Sequence, residues 1–310
     1  MFLTQTHCEL GHWWRFAATA LIIVIAFVIG HVPLILTVQA YAKAGGFSND
    51  QVDQLLATGG VDQIGLNSTY GLLLLLVPFA VAFITFFVAV RLFHKRSAML
   101  TLTSRPQFDM KRMLVGALVW FGIGGLGTLV LIPNEVITYQ FAWTKFLPLL
   151  AVALLLMPFQ VAIEEMLFRG YLLQGISRFF LRPIVPLIIV TVVFLVPHLS
   201  NPEFQSGFAK VIPVYFVLSL FFGLLAVLDD GLELPIGAHL GNNLFSALIL
   251  SASDGAMNTD SVLKTQVSSV LDQLWGITVF VPVALLVLHM IYRFDWVKLV
   301  RPYRNAAQEA

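Results

Sequence analysis

Charge is what this chain has least of. Only 11% of its 310 residues are Asp, Glu, Lys or Arg, against roughly a quarter in a soluble globular domain. With 58% hydrophobic residues beside that scarcity, a soluble globule is excluded. Cysteine is limited to Cys8, which excludes an internal disulfide framework and a cysteine-rich zinc site. No His-Glu-x-x-His occurs, so the zinc-protease helix of soluble enzymes is missing. The net charge is +1, and no basic stripe lies outside the membrane flanks, so nucleic acid is not an expected partner. Internal repeats and low-complexity tracts are absent as well. The first apolar run has no small-residue cleavage site and continues through Val32-Pro33-Leu34-Ile35-Leu36. It reads as a retained span, not a signal peptide.

What is present is a series of long apolar runs. They fall near 14–38, 69–92, 112–132, 145–166, 183–198, 210–228, 232–251 and 273–292, most of them able to cross ~30 Å of hydrocarbon as a helix. The expected fold is all-α: a polytopic membrane protein of about eight transmembrane helices in a lipid bilayer. Of the 18 Lys and Arg residues, only Lys43, Lys145, Lys210 and Lys264 fall in alternate, outer segments. The positive-inside rule therefore predicts that both termini are cytoplasmic. Three regions follow: peripheral transmembrane helices in 1–144, a functional core in 145–251, and an outer loop, last span and cytoplasmic tail in 252–310. The polar loop 39–68 and the loop 252–272 carry no chemical motif. Most of the tryptophans, Trp120 counted with them, are expected to be interfacial anchors at span ends.

The core contains ionisable residues in unfavourable surroundings. Glu164 and Glu165 follow a stretch, Phe146 to Ile163, without one charged residue. Such groups cost a few kcal/mol in a bilayer, so they normally face an interior or a wet cavity. Glu165 and Arg169 are i,i+4 neighbours in the favourable acid-before-base order. Glu164 points about 100° away from Glu165, free for another partner. His198 ends Phe194-Leu-Val-Pro-His198, where Pro197 is expected to kink the span or end its helix. His239 and Asn243 share a helix face. Counting from the turns at Phe180–Pro183 and Asp229–Gly231, a rise of ~1.5 Å per residue brings Glu164, His198 and His239 to one level in the cytoplasmic half. A carboxylate and two histidines converging there suit activation of water by a general base, with His and Asn donors for an oxyanion. The same three side chains also form a two-His-one-carboxylate zinc set, and the spacing does not choose between the two. Water chemistry at that depth predicts a polar cavity open to the cytoplasm. His31 and His289 are expected to be interior histidines bonded to carbonyls. Gly175-Ile-Ser177-Arg spells a rhomboid-like motif, but at the charged edge.

Glu-Glu-x-x-x-Arg, Phe-x-x-x-His and His-x-x-x-Asn, in this order within spans, resemble the CAAX prenyl protease and bacteriocin-processing family (CPBP, or Abi), which includes the Rce1-type CAAX endopeptidases. Phe168-Arg169-Gly170-Tyr171-Leu172 matches the usual extension, and the resemblance covers about 145–251. It implies an intramembrane endopeptidase, metalloprotease-like by common classification, acting on a membrane-embedded or lipidated peptide. Glu164 and His198 would activate water, His239 and Asn243 would support the oxyanion or a metal, and Glu165 with Arg169 would be structural. The cofactor is either zinc, held by Glu164, His198 and His239, or none, in a metal-free glutamate mechanism. The expected location is a bacterial inner membrane. Two other classes stay open: a non-catalytic scaffold or bacteriocin-immunity protein with the site idle, and a proton-coupled transporter using the buried acids as a relay.

Overall fold

In hydrocarbon a peptide N–H has no water to bond, so a chain this apolar satisfies its backbone inside helices. The computed structural model describes residues 2–5, 13–52, 65–131, 137–253, 255–265 and 270–303. Cys8, the middle of the 39–68 loop and the tail after residue 303 lie outside them. Each apolar run of the sequence falls on a helix. Helices α1 (Trp13–Gly30) and α2 (Val32–Ala44) fill the first, broken at His31. Helix α3 (Ser68–Ala89) starts at an Asn67 cap, whose side chain accepts from the Thr69 and Tyr70 amides. Then come α4 (Met110–Leu131), α5 (Trp143–Glu165), α6 (Ile184–Leu195), α7 (Phe208–Leu228), α8 (Glu233–Leu244) and α9 (Val270–Tyr292). The α5 rod continues through a π-helical segment, Met166–Leu172, into Leu173–Ser177. Pro197 does end α6, and Val196–His198 forms a 3-10 turn.

Four stretches among the described residues are long and apolar enough to cross a membrane: Trp14–Ala44, Ser68–His94, Trp143–Ser177 and Phe208–Leu228. Ile184–His198 and Gly276–Tyr292 are shorter apolar helices. The exposed faces are themselves apolar: Leu21, Val28, Ile84, Leu118, Leu155 and Leu286 are each more than half exposed. A face like that suits lipid and not water. This is an all-α integral membrane protein.

Helix α5 is the central post. Leu149, Ala153, Met157 and Val161, four apart, make a fully buried stripe that shares a core with Leu72, Leu76 and Phe86 of α3. At one end of the bundle Arg105 bonds Asp229 and Glu233, Arg112 pairs with Asp229, and Lys298 pairs with Asp230. Burial pushes the Asp229 carboxyl up to about 6, against the pull of Arg105 and Arg112. At the other end, loops are tied by a small sheet that the apolar pattern does not foreshadow. Its strands β1 (Ile137–Tyr139), β2 (Leu250–Ala252) and β3 (Leu263–Thr265) lie in the order β1-β3-β2, antiparallel then parallel. Asp260 there accepts from Ser68 and Lys145.

Trp120 is not an end anchor. It lies midway along α4 and is 4% exposed. His31 bonds the Phe27 carbonyl as expected, whereas His289 sits against the Phe294 and Trp296 rings. Ser177 donates to the backbone carbonyls of Leu3 and Gln174, so its hydroxyl is engaged in structure.

Glycine sets the position of α8. A Cβ at Gly237 would lie 1.9 Å from the Met113 carbonyl oxygen, and one at Gly241 would lie 2.6 Å from that of Ala117. From the facing side, a Cβ at Gly116 would lie 2.5 Å from the Leu234 carbonyl. The Gly237-xxx-Gly241 face thus lets α4 and α8 touch backbone to backbone, as small-xxx-small pairs do in membranes. Gly237→Ala is expected to lower stability by about 1–3 kcal/mol or more, since rigid backbone has to move. Gly122→Ala on α4, where nothing lies within 4 Å, is the neutral control. Thermal unfolding of both variants in detergent checks this; equal midpoints would contradict it.

Candidate active site

The last turn of α5 delivers both acids to a place closed by α6, α7 and α8. Glu165 is wholly buried, and its Oε1 accepts from Arg169 Nη1 at 3.0 Å. Arg169, 1% exposed, donates its other arm to the Ser219 carbonyl and hydroxyl at 3.1 and 2.9 Å. Its guanidinium lies 3.9 Å from the Phe194 ring centre. The Ser219 hydroxyl in turn bonds the Thr191 carbonyl. A buried ion pair persists only with good geometry and supporting hydrogen bonds; both Arg169 Nη atoms are bonded, while Glu165 Oε2 has no hydrogen-bond partner among the described residues. The π segment starting at Met166 directly follows the acids, a placement common at functional sites.

Two imidazoles complete the pocket. His198 Nδ1 lies 2.8 Å from the Phe194 carbonyl oxygen. A carbonyl only accepts, so this nitrogen carries the proton and a neutral His198 presents a bare Nε2. His239 Nδ1 lies 2.8 Å from Glu165 Oε1. That oxygen already accepts from Arg169, so Nδ1 donates here too. The His239 ring stacks on Phe222, with centroids 4.7 Å apart and planes 14° apart. Both Nε2 atoms face Glu164: Oε2 lies 4.0 Å from that of His198 and 3.8 Å from that of His239. Glu164 Oε1 accepts from Gln160 at 3.4 Å, and Asn243 donates to Gln160 Oε1 at 3.4 Å. The structure therefore brings Glu164, His198, His239 and Asn243 to one place, with Glu165 and Arg169 beneath.

A zinc ion with bonds of about 2.0–2.2 Å in a tetrahedral site needs donor atoms roughly 3.3–3.5 Å apart. The two spacings from Glu164 Oε2, 4.0 and 3.8 Å, are wider. No group of three or more His, Cys, Asp or Glu among the described residues is disposed to hold a metal ion. The zinc set of Glu164, His198 and His239 thus does not fit the site as it stands.

The pocket opens into a cavity of about 1290 Å³. Its walls are mainly apolar and include Ile23, Phe27, Leu76 and Phe280 from outside the core region. It reaches Glu203, Gly255 and Thr265 at the sheet end. This corrects the expectation of a polar cavity to a mainly apolar chamber that extends toward the sheet end. The reason is the short α6: ended by Pro197, it leaves the volume beyond His198 to a loop. The motifs also leave out Gln160, Asn242, Ser219 and Thr191. Gln160 alone carried a signal, as the one polar side chain between Phe146 and Ile163.

Residues 143–245 match the family model described as type II CAAX prenyl endopeptidase Rce1-like. The resemblance read from the three motifs is borne out over that segment, which contains Glu164, Glu165, Arg169, His198, His239 and Asn243. A bacterial relative, the uncharacterized protein YyaK of Bacillus subtilis (strain 168), is 24% identical over 241 residues. The alignment spans 77% of this chain and 78% of that protein. No solved structure matches the chain.

The Glu165–Arg169 pair yields a stability prediction. Arg169→Met leaves a buried carboxylate with only His239 beside it, an expected loss of about 3–5 kcal/mol. Combining Arg169→Met with Glu165→Gln removes the stranded charge and is expected to recover part of that loss. Unfolding of the single and double variants in micelles measures it. A double variant less stable than Arg169→Met alone would show that Glu165 is not held chiefly by Arg169.

Proposed function

With an Rce1-like segment at the centre of the chain as the premise, we propose that this membrane protein is an intramembrane endopeptidase that hydrolyses a peptide bond with glutamate-activated water. One observation carries the reading: Glu164 Oε2 faces two imidazole Nε2 atoms, and both rings are fixed by bonds at Nδ1. A water held between Glu164 and the bare His198 Nε2 has its oxygen lone pair free to attack. Glu164 accepts one water proton as the new C–O bond forms. The oxyanion takes hydrogen bonds from the second Asn243 amide proton and from His239. Two carboxylates and one guanidinium leave the pocket one negative charge in excess, so a proton on His239 Nε2 makes it neutral. That proton also supplies the donor, while Glu165 balances the imidazolium from the Nδ1 side. Glu164 then passes its proton to the departing nitrogen as the C–N bond breaks, releasing an amine and a carboxylate.

The substrate follows from the cavity. Its apolar walls suit a membrane-anchored or lipidated peptide, entered beside α1, α3 and α9, and the bilayer is the medium that delivers it. We place the protein in a bacterial inner membrane with about eight spans and both termini cytoplasmic, from the Lys and Arg asymmetry and the bacterial relative. The division into peripheral helices 1–144, core 145–251 and closing segment 252–310 belongs to the same proposal.

Purified protein should cleave members of a fluorogenic membrane-peptide library. Glu164→Gln is expected to lower kcat by about 10²–10⁴, the range for a general base. His239→Ala and Asn243→Ala should each lose about 10²–10³, the range for an oxyanion donor. Full turnover in Glu164→Gln and His239→Ala would refute the mechanism and leave the scaffold reading. Turnover should persist through exhaustive chelation; loss restored by zinc would replace the water-only mechanism.

A further inference from the structure

A hydrogen-bonded chain approaches Glu164 from the side away from the histidines. Trp120 Nε1 on α4 donates to Asn242 Oδ1 at 3.0 Å. Asn242 Nδ2 donates to Asn243 Oδ1 at 3.1 Å. Asn243 Nδ2 donates to Gln160 Oε1 at 3.4 Å, and Gln160 Nε2 to Glu164 Oε1 at 3.4 Å. Amide oxygens and nitrogens are ordinarily assigned from their partners. Here the two ends fix every link: an indole N–H only donates, and an ionised carboxylate only accepts. Each amide between them must therefore present oxygen toward Trp120 and nitrogen toward Glu164. All four links point the same way, and such chains polarise cooperatively at low dielectric.

We infer that Gln160, Asn242 and Trp120 are positioning residues that lock Glu164 Oε1 and so aim Oε2, as the anion, at the water. This rests on the endopeptidase reading for its consequence in turnover. The chain also settles Asn243: one amide proton is held by Gln160, and the other is left for the oxyanion. Gln160 sits one turn before Glu164 on α5, while Trp120 and Asn242 bring in α4 and α8. The catalytic carboxylate is thereby tied to the glycine-packed α4–α8 pair. The 3.4 Å links at Gln160 are long, as catalytic bonds often are before substrate closes the site.

The relay is tested without and with turnover. In protein carrying ¹⁵N-labelled tryptophan, the Trp120 indole resonance, assigned by its loss in Trp120→Phe, is expected to shift with pH through one inflection. That inflection should vanish in Glu164→Gln and in Gln160→Met. A wild-type resonance that does not titrate, or one that titrates unchanged in Gln160→Met, overturns the relay. In the cleavage assay, Gln160→Met should lower kcat by about tenfold or more with KM within about twofold, as for loss of a hydrogen bond to a charged group. The acidic limb of its profile should move to higher pH. Trp120→Phe retains the ring that stacks on Phe221 and should move the same limb by less. Combining it with Gln160→Met should add nothing further; additive losses or an unmoved limb would mean a merely structural role. Absence of any cleavage by wild type removes the endopeptidase reading, and the indole resonance still decides the relay.

Discussion

Everything in the pocket depends on one buried oxygen, Glu165 Oε1, which accepts from both Arg169 and His239. Through Arg169 it reaches the Ser219 backbone on α7 and the Phe194 ring on α6. Through His239 it reaches α8. Four helices are therefore registered on a single carboxylate. The guanidinium pairs with it, and its lone pair holds the His239 Nδ1 proton. Without that bond the ring would be free to turn, and Nε2 would no longer be fixed toward Glu164. Glu165 thus orders the pocket around Glu164 from beneath it.

The surrounding helices are built to make that registration possible. Disulfides are a common way to hold a site, and this chain has one cysteine. It uses close backbone approach instead, Gly237 and Gly241 against α4, so that His239 and Asn243 on the opposite face are displaced toward α5. The π segment after Glu165 keeps Arg169 within reach of its partner and carries Phe168 onto Phe194.

Much of this was legible in the sequence, and the limit has a physical cause. Apolar runs locate helices because the bilayer demands them, and they did so here for α1 through α9. The spacing of Glu164, Glu165 and Arg169 separated two adjacent acids because helical geometry forces them apart. The chain turns at Phe180 and Asp229 were enough to bring Glu164, His198 and His239 to one level. What spacing does not encode is which side of a helix meets which neighbour. The His239–Glu165 bond, the Ser219 contact and the Trp120–Asn242 link all join helices, so no single-helix pattern contains them. Trp120 was misread for that reason: tryptophan in a membrane helix suggests an interface by frequency, and only the partner shows otherwise. The sheet was invisible because its strands are three residues each, too short for an alternating pattern.

The same geometry bears on whether the acids hydrolyse or merely pass protons. A relay across a membrane needs a polar path from the site to both ends. Toward the sheet end the cavity supplies a route by way of Asn201 and Glu203. Toward the arginine-rich end, α5 beyond the site is packed by Tyr171, Leu173 and Gln174, all fully buried. Phe2 and Leu3 are sealed there as well, their carbonyls taken by Gln174 and Ser177. Among the described residues the cavity takes no lining from the Asp229–Glu233 turn or from Arg105 and Arg112. The pocket has three polar groups around a common point and an apolar chamber on one side, a shape that suits an apolar peptide. That shape agrees with the hydrolysis proposed above, and it follows from the helix packing, not from the motifs.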